Sequence, residues 1–237
     1  MTETIDPTFD LLDRRIALGG ADDVVLTAPP ARTPTLHGRP VTDPRLVEAL
    51  SVPEDITRAE ALDRTAKLGG VLRVLGADGA TALVVEHAVP DPARTFAVLA
   101  GLRIGLEVVL QDAKAAVPLG AYGTETLTIL AAPEGAAPAE TGPGADAGAA
   151  SRDAGARTGP TTASGLTVTV RRVRSHFEEI AVRGGGITRD LDAMMRDARI
   201  EPVAAKFADP EATALTLAGR TFTRAEAAEF AAGLLHD

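Results

Sequence analysis

The chain has no cysteine, no tryptophan, one tyrosine and six phenylalanines among its 237 residues. The missing cysteine removes disulfides, thiolate metal ligands and thiol nucleophiles together. Serine is scarce too, being confined to Ser51, Ser151, Ser164 and Ser175. None of the four stands in the G-x-S-x-G turn that exposes a nucleophile. Ser175 is followed by His176, but neighbours in a helix or strand rarely face each other, so no catalytic residue is assigned. The four histidines are scattered at His37, His87, His176 and His236. The best local ligand sets are His176 with Glu178 and Glu179, then Glu86 with His87. Neither has the H-x-H or H-E-x-x-H spacing that projects ligands from one face, so no metal and no cofactor is expected.

Long apolar runs are also missing. Thr95–Leu102, the longest uncharged run of the expected core, is far short of the about 20 residues that cross a bilayer. The first residues, Met1-Thr2-Glu3-Thr4-Ile5-Asp6, are acidic and unlike a secretion signal. Together these give the expectation of a cytoplasmic protein. Positive charge is short as well, with 33 acids against 24 bases and a net charge of −9. Nucleic acid and anionic membranes reward the opposite sign and are not expected as partners. The stretch Arg171-Arg172-Val173-Arg174, with Arg183, Arg189, Arg196 and Arg199 beyond it, reads as a solvated, ion-paired face. It has none of the aromatic interleaving of an RNA platform.

What is present is the material of an ordinary folded protein, 45% apolar with a mean hydropathy of +0.08. One stretch stands apart. Residues 131–164 contain no aromatic, Leu, Ile, Val or Met, too little apolar surface to offset the entropy of ordering. The expected organisation is therefore an α/β N-terminal part at 1–131, a flexible linker at 132–165 and an α+β C-terminal part at 166–237. The C-terminal part holds Phe177, Phe207, Phe222 and Phe230 and is nearly neutral, so it has core material of its own. Two separate domains and one shared sheet remain open alternatives.

Helix starts are the clearest local signals. Asp6-Pro7 leads into Phe9, Leu12 and Ile16, and Asp43-Pro44 opens a helix to Leu50. Capping boxes stand at Thr57-Arg-Ala-Glu60 and Thr223-Arg-Ala-Glu226, and the first of these helices is expected to stop at Gly69-Gly70. Val71–Leu75 and Thr81–His87 read as a hairpin over Ala77-Asp78-Gly79. A helix from Asp91-Pro92 to Gly101 and strands near 106–110, 124–130, 166–173 and 214–217 complete the reading. A helix capped by Thr188, with Ile187, Leu191, Met194 and Met195 on its apolar face, follows Gly184-Gly185-Gly186. The fold class is thus α+β, with mixed, mostly antiparallel sheet and capped amphipathic helices. Thr35–Thr42 and Thr216–Thr223 share the pattern T-L-x-G-R-x-apolar-T, each read as strand, turn, short strand and capped helix.

One loop could hold an anion. Arg183, Gly184, Gly185, Gly186, Thr188 and Arg189 would bind a phosphorylated group if the glycines led into a helix N-terminus. The competing reading is a plain turn at a helix end.

The segment Thr42-Asp-Pro-Arg-Leu-Val-Glu-Ala-Leu-Ser-Val-Pro53, the hairpin expected at 71–87 and Val89-Pro-Asp-Pro-Ala-Arg-Thr-Phe-Ala-Val-Leu99 together carry a resemblance. Their order, over about 60 residues, resembles that of the ESX (type VII) secretion-associated chaperones. The resemblance implies a non-enzymatic cytoplasmic protein that binds helical-hairpin secretion substrates; it carries over no binding residues. The leading expectation is a protein-binding module, whether adaptor, scaffold or chaperone, that holds its partner on an apolar groove or strand edge. Oligomeric state is left open.

Overall fold

The computed structural model describes residues 8–30, 35–36, 39–112, 126–131, 175–198 and 211–235. The expected linker at 132–165, the strand at 166–173 and the cap at Asp6-Pro7 lie outside them. Within the described residues the helices are α1 (Asp13–Ala17), α2 (Pro44–Leu50), α3 (Arg58–Val74), α4 (Ala93–Ile104), α5 (Leu191–Asp197) and α6 (Arg224–Ala232). The strands are β1 (Val24–Ala28), β2 (Thr35–Leu36), β3 (Arg39–Pro40), β4 (Glu54–Thr57), β5 (Ala82–Val85) and β6 (Glu107–Leu110). They continue with β7 (Thr126–Ala131), β8 (Ile180–Gly184), β9 (Ile187–Asp190), β10 (Thr213–Leu217) and β11 (Arg220–Thr223).

Seven strands form one mixed sheet in the order β11-β10-β6-β5-β7-β8-β9. Its centre is parallel: β10 on β6, β6 on β5 and β5 on β7. Its two ends are antiparallel hairpins, β10–β11 and β8–β9, the latter joined to β7 through Ile129↔Val182. Two small antiparallel pairs, β1–β4 and β2–β3, stand beside it, so antiparallel pairings predominate and the molecule is α+β. Strands from both sides of the 132–165 segment share this sheet, which answers the alternative the composition left open.

Parallel β5 and β6 require a crossover, and α4 supplies it. It packs close because Gly101 has no side chain: a Cβ there would lie 2.5 Å from Val108 Cγ2 and 3.0 Å from Leu83 Cδ2. The face so covered carries Leu83, Val85, Val108, Leu110, Leu127, Ile129, Val182 and Leu215, which join Phe96, Leu99, Leu72, Leu191, Met195 and Ala227 in one buried core. Each large side chain there contributes about 1.5–3 kcal/mol by leaving water. Val84, Val109, Leu130 and Ala181 alternate with these residues and are buried as well. That explains why the central strands read as unbroken apolar runs and not as alternation.

Two expected elements differ. Residues 71–74 are not a strand; α3 runs through Gly69-Gly70 to Val74. The glycine has a packing role, since a Cβ at position 69 would meet Ile104 Cγ2 of α4 at 2.9 Å. One of the two strands in the order that resembles the ESX chaperones is therefore helical. The helix expected at Thr188 begins later: Ile187–Asp190 is strand β9, and Asp190, not Thr188, caps α5. Its carboxylate accepts from the Ala193 N–H at 3.2 Å. The caps at Asp43, Thr57 and Thr223 stand where the sequence puts them, whereas α4 starts at Ala93 with Pro92 at its cap and no side-chain cap bond. Asp43 caps α2, and both capping boxes are closed by Glu60 and Glu226.

Candidate functional site

The six residues of the glycine loop gather on the β8–β9 hairpin. Gly185 (φ 55°) and Gly186 (φ 77°) take two consecutive left-handed positions, the geometry of a type I′ turn, and Gly184 pairs with Ile187 across it. The loop therefore leads into a strand. The helix N-terminus that an anion site would have needed starts only at Leu191. What remains of that arrangement is side chains: the Arg183 Nε donates to the Thr188 hydroxyl at 3.2 Å, and Arg189 makes no hydrogen bond or ion pair among the described residues.

Register decides which main-chain groups of β9 are free. In a two-residue hairpin the residues flanking the turn exchange both hydrogen bonds, and pairing then alternates. Gly184–Ile187 and Val182–Arg189 are bonded pairs, while Arg183–Thr188 is not. Thr188 thus aims its N–H and C=O away from β8. Among the described residues no strand pairs there, because β9 ends the sheet. Ile187, expected on a helix face, is instead 54% exposed at this edge. The signal for it was in the sequence: Gly-Gly between two short runs, followed by Ile-Thr-Arg and a capping Asp, reads as strand, tight turn, strand and helix.

The same unit recurs. The T-L-x-G-R pattern forms a hairpin in both places, with Leu36↔Arg39 and Leu217↔Arg220 in matching register, and each precedes a capped helix, α2 and α6. The β8–β9–α5 unit is a third instance that the pattern does not mark. Two of the three close the large sheet at opposite ends. Thr221 on β11 corresponds to Thr188 on β9, but the edges differ in chemistry. On β11 the Arg220 guanidinium stacks 4.4 Å over Phe222, which packs on Phe230. On β9 Arg189 meets no acid among the described residues.

The remaining candidates come together at the other end of the sheet. Ile180, the first residue of β8, pairs with Ala131, the last of β7, so the 175–179 loop lies at the carboxyl ends of the parallel strands. Glu86 follows β5 there, its N–H donating to the Ile129 carbonyl at 3.0 Å. Topology thus brings the two best histidine–carboxylate sets to one end. They do not assemble, because His176 is buried with its ring 6.1 Å from Phe96, whereas His87 is exposed. No three His, Asp or Glu side chains among the described residues form a metal-binding group. Ser175 clamps the loop: its hydroxyl donates to Asp192 and accepts from the Phe177 N–H.

No protein-family model and no curated protein matches the chain. No helix among the described residues is long and apolar enough to cross a membrane.

Proposed function

We propose that this is a non-enzymatic, cytoplasmic protein-binding module that takes an extended segment of its partner as an added strand on β9. The observation that carries the reading is the outward main chain of Thr188 at an exposed sheet edge. Unpaired edges are templates for another chain, and folded proteins ordinarily blunt them. Each main-chain hydrogen bond so formed contributes about 0.5–1.5 kcal/mol net. A four-residue edge therefore gives a modest affinity that side chains must complete. The chaperone class implied by the ESX resemblance belongs to this proposal, with a secretion substrate as the partner.

A ligand-binding reading, with a phosphorylated group held by Arg183 and Arg189, is the alternative. It has lost the helix N-terminus and rests on two partly exposed side chains.

The test is affinity capture by the wild-type chain and by Thr188→Pro in parallel. Proline removes one outward N–H and is tolerated on edge strands. A stoichiometric partner retained by the wild type and lost by the variant is the expected result. A partner retained equally by both removes β9 from the reading. Thermal stabilisation by phosphorylated metabolites that disappears in Arg183→Ala/Arg189→Ala would favour the alternative.

A further inference from the structure

We infer that the segment accepted by β9 is acidic, with an acidic residue two positions before an apolar one. The inference rests on the strand-addition reading above and adds the chemistry of the partner. The molecule carries a net charge of −9, yet the two side chains flanking Thr188 on its own hairpin face and on the opposite face are Arg183 and Arg189. The neighbouring acids are engaged. Asp190 caps α5, and Asp192 holds both the Ser175 hydroxyl and Arg196. Arg189 is half-buried, so an incoming carboxylate meets it partly shielded from water, where a charge-assisted bond is stronger than on an open surface.

Register turns this into a pattern. An antiparallel strand that exchanges bonds with Thr188 places its preceding residue opposite Arg189 and its following residue opposite Ile187. Ile187 and Arg189 share one face with Val182. The complementary order is therefore acidic, any residue, apolar. A second copy of the chain is a poorer occupant. Self-pairing centred on Thr188 sets Arg189 against Ile187 and supplies no carboxylate. Four residues also bury far less than the about 800 Å² per partner of a stable interface.

The experiment uses the full chain and short synthetic peptides centred on Glu-Thr-Val or Lys-Thr-Val, with binding followed by fluorescence anisotropy. The Glu peptide is expected to bind at least about tenfold more tightly than the Lys peptide, and Arg189→Glu to reverse the order. N-methylation of the central peptide residue and Thr188→Pro should each abolish binding; Arg189→Glu keeps the test alive if the proline variant misfolds. Equal binding of both peptides, lost in Thr188→Pro, overturns the acidic preference and leaves strand addition standing. Glu-peptide binding that survives both Thr188→Pro and N-methylation overturns strand addition itself. Binding of neither peptide at millimolar concentration overturns the acidic preference. A wild-type dimer that Thr188→Pro dissociates makes the second copy the occupant and overturns the proposal.

Discussion

The Arg183 side chain reaches across the β8–β9 hairpin to place its Nε 3.2 Å from the Thr188 hydroxyl. The contact joins a non-bonded pair of the ladder, so side chains hold together what the main chain does not. It also leaves the Thr188 main chain free for a further strand. Replacing Arg183 by Met keeps the aliphatic stem and removes the donor. The expected loss of stability is below about 1 kcal/mol, since the contact is solvent-exposed, and urea denaturation measures it.

Ala218 holds φ 50° beside Gly219 at φ 79° in the β10–β11 turn. A left-handed alanine costs about 1–2 kcal/mol, and glycine returns part of that through the entropy of the unfolded chain. Ala218→Gly should stabilise by about 0.5–1 kcal/mol, and Ala218→Asn by a similar amount. A destabilised Ala218→Gly in thermal unfolding would contradict the turn geometry.

Gly101→Ala should cost about 1–3 kcal/mol, because the new methyl overlaps Val108 Cγ2 and Leu83 Cδ2 between α4 and the sheet. Gly101→Ala combined with Val108→Ala should recover part of this. Simple additivity of the two losses would show that the helix does not approach the sheet there.

Asp13 receives two hydrogen bonds from the Arg103 guanidinium, at 2.7 and 3.0 Å, which pin α1 to α4 across ninety positions of sequence. Arg103 is buried. Asp13→Ala should cost about 1.5–3 kcal/mol by removing two charge-assisted hydrogen bonds from that buried cation. The double variant with Arg103→Met should be the more stable of the two. The double-mutant cycle reads the coupling directly.

The Asp78 carboxyl is held below the ordinary carboxylate range, chiefly by the Ala80 N–H at 2.9 Å and then by the Thr81 hydroxyl. A lowered folded value means the unfolded chain takes up the proton first as pH falls. The stability Asp78 contributes is therefore present above the ordinary range and lost as pH falls through the lowered folded value. Asp78→Asn should remove that part of the acid slope. An unchanged slope in the variant would show that the turn does not favour the ionised form.

The sequence was most legible where a signal is local. The capping residues Asp43, Thr57 and Thr223 name helix starts because their side chains satisfy N–H groups a few residues away. It misled where tertiary packing outweighs propensity. Val71–Val74 follows two glycines and is rich in Val and Leu, yet it continues α3, and Gly69 leaves the room that Ile104 of α4 occupies. Strand order was not legible, since it depends on pairings such as Leu215↔Val108 between residues far apart in the chain. At the candidate site the residues Arg183 to Arg189 share one hairpin. The anion reading depends on a helix whose cap lies two residues later than expected, at Asp190 and not Thr188.

Amide hydrogen exchange at Thr188 tests the central claim most directly. In the free protein this N–H points outward and should exchange quickly, while that of Arg189, bonded to Val182, is protected. Addition of the Glu-Thr-Val peptide, or of a captured partner, should slow exchange at Thr188 and leave Thr221 on the opposite edge unchanged. Saturable binding with Thr188 still exchanging at its free rate would contradict strand addition at β9.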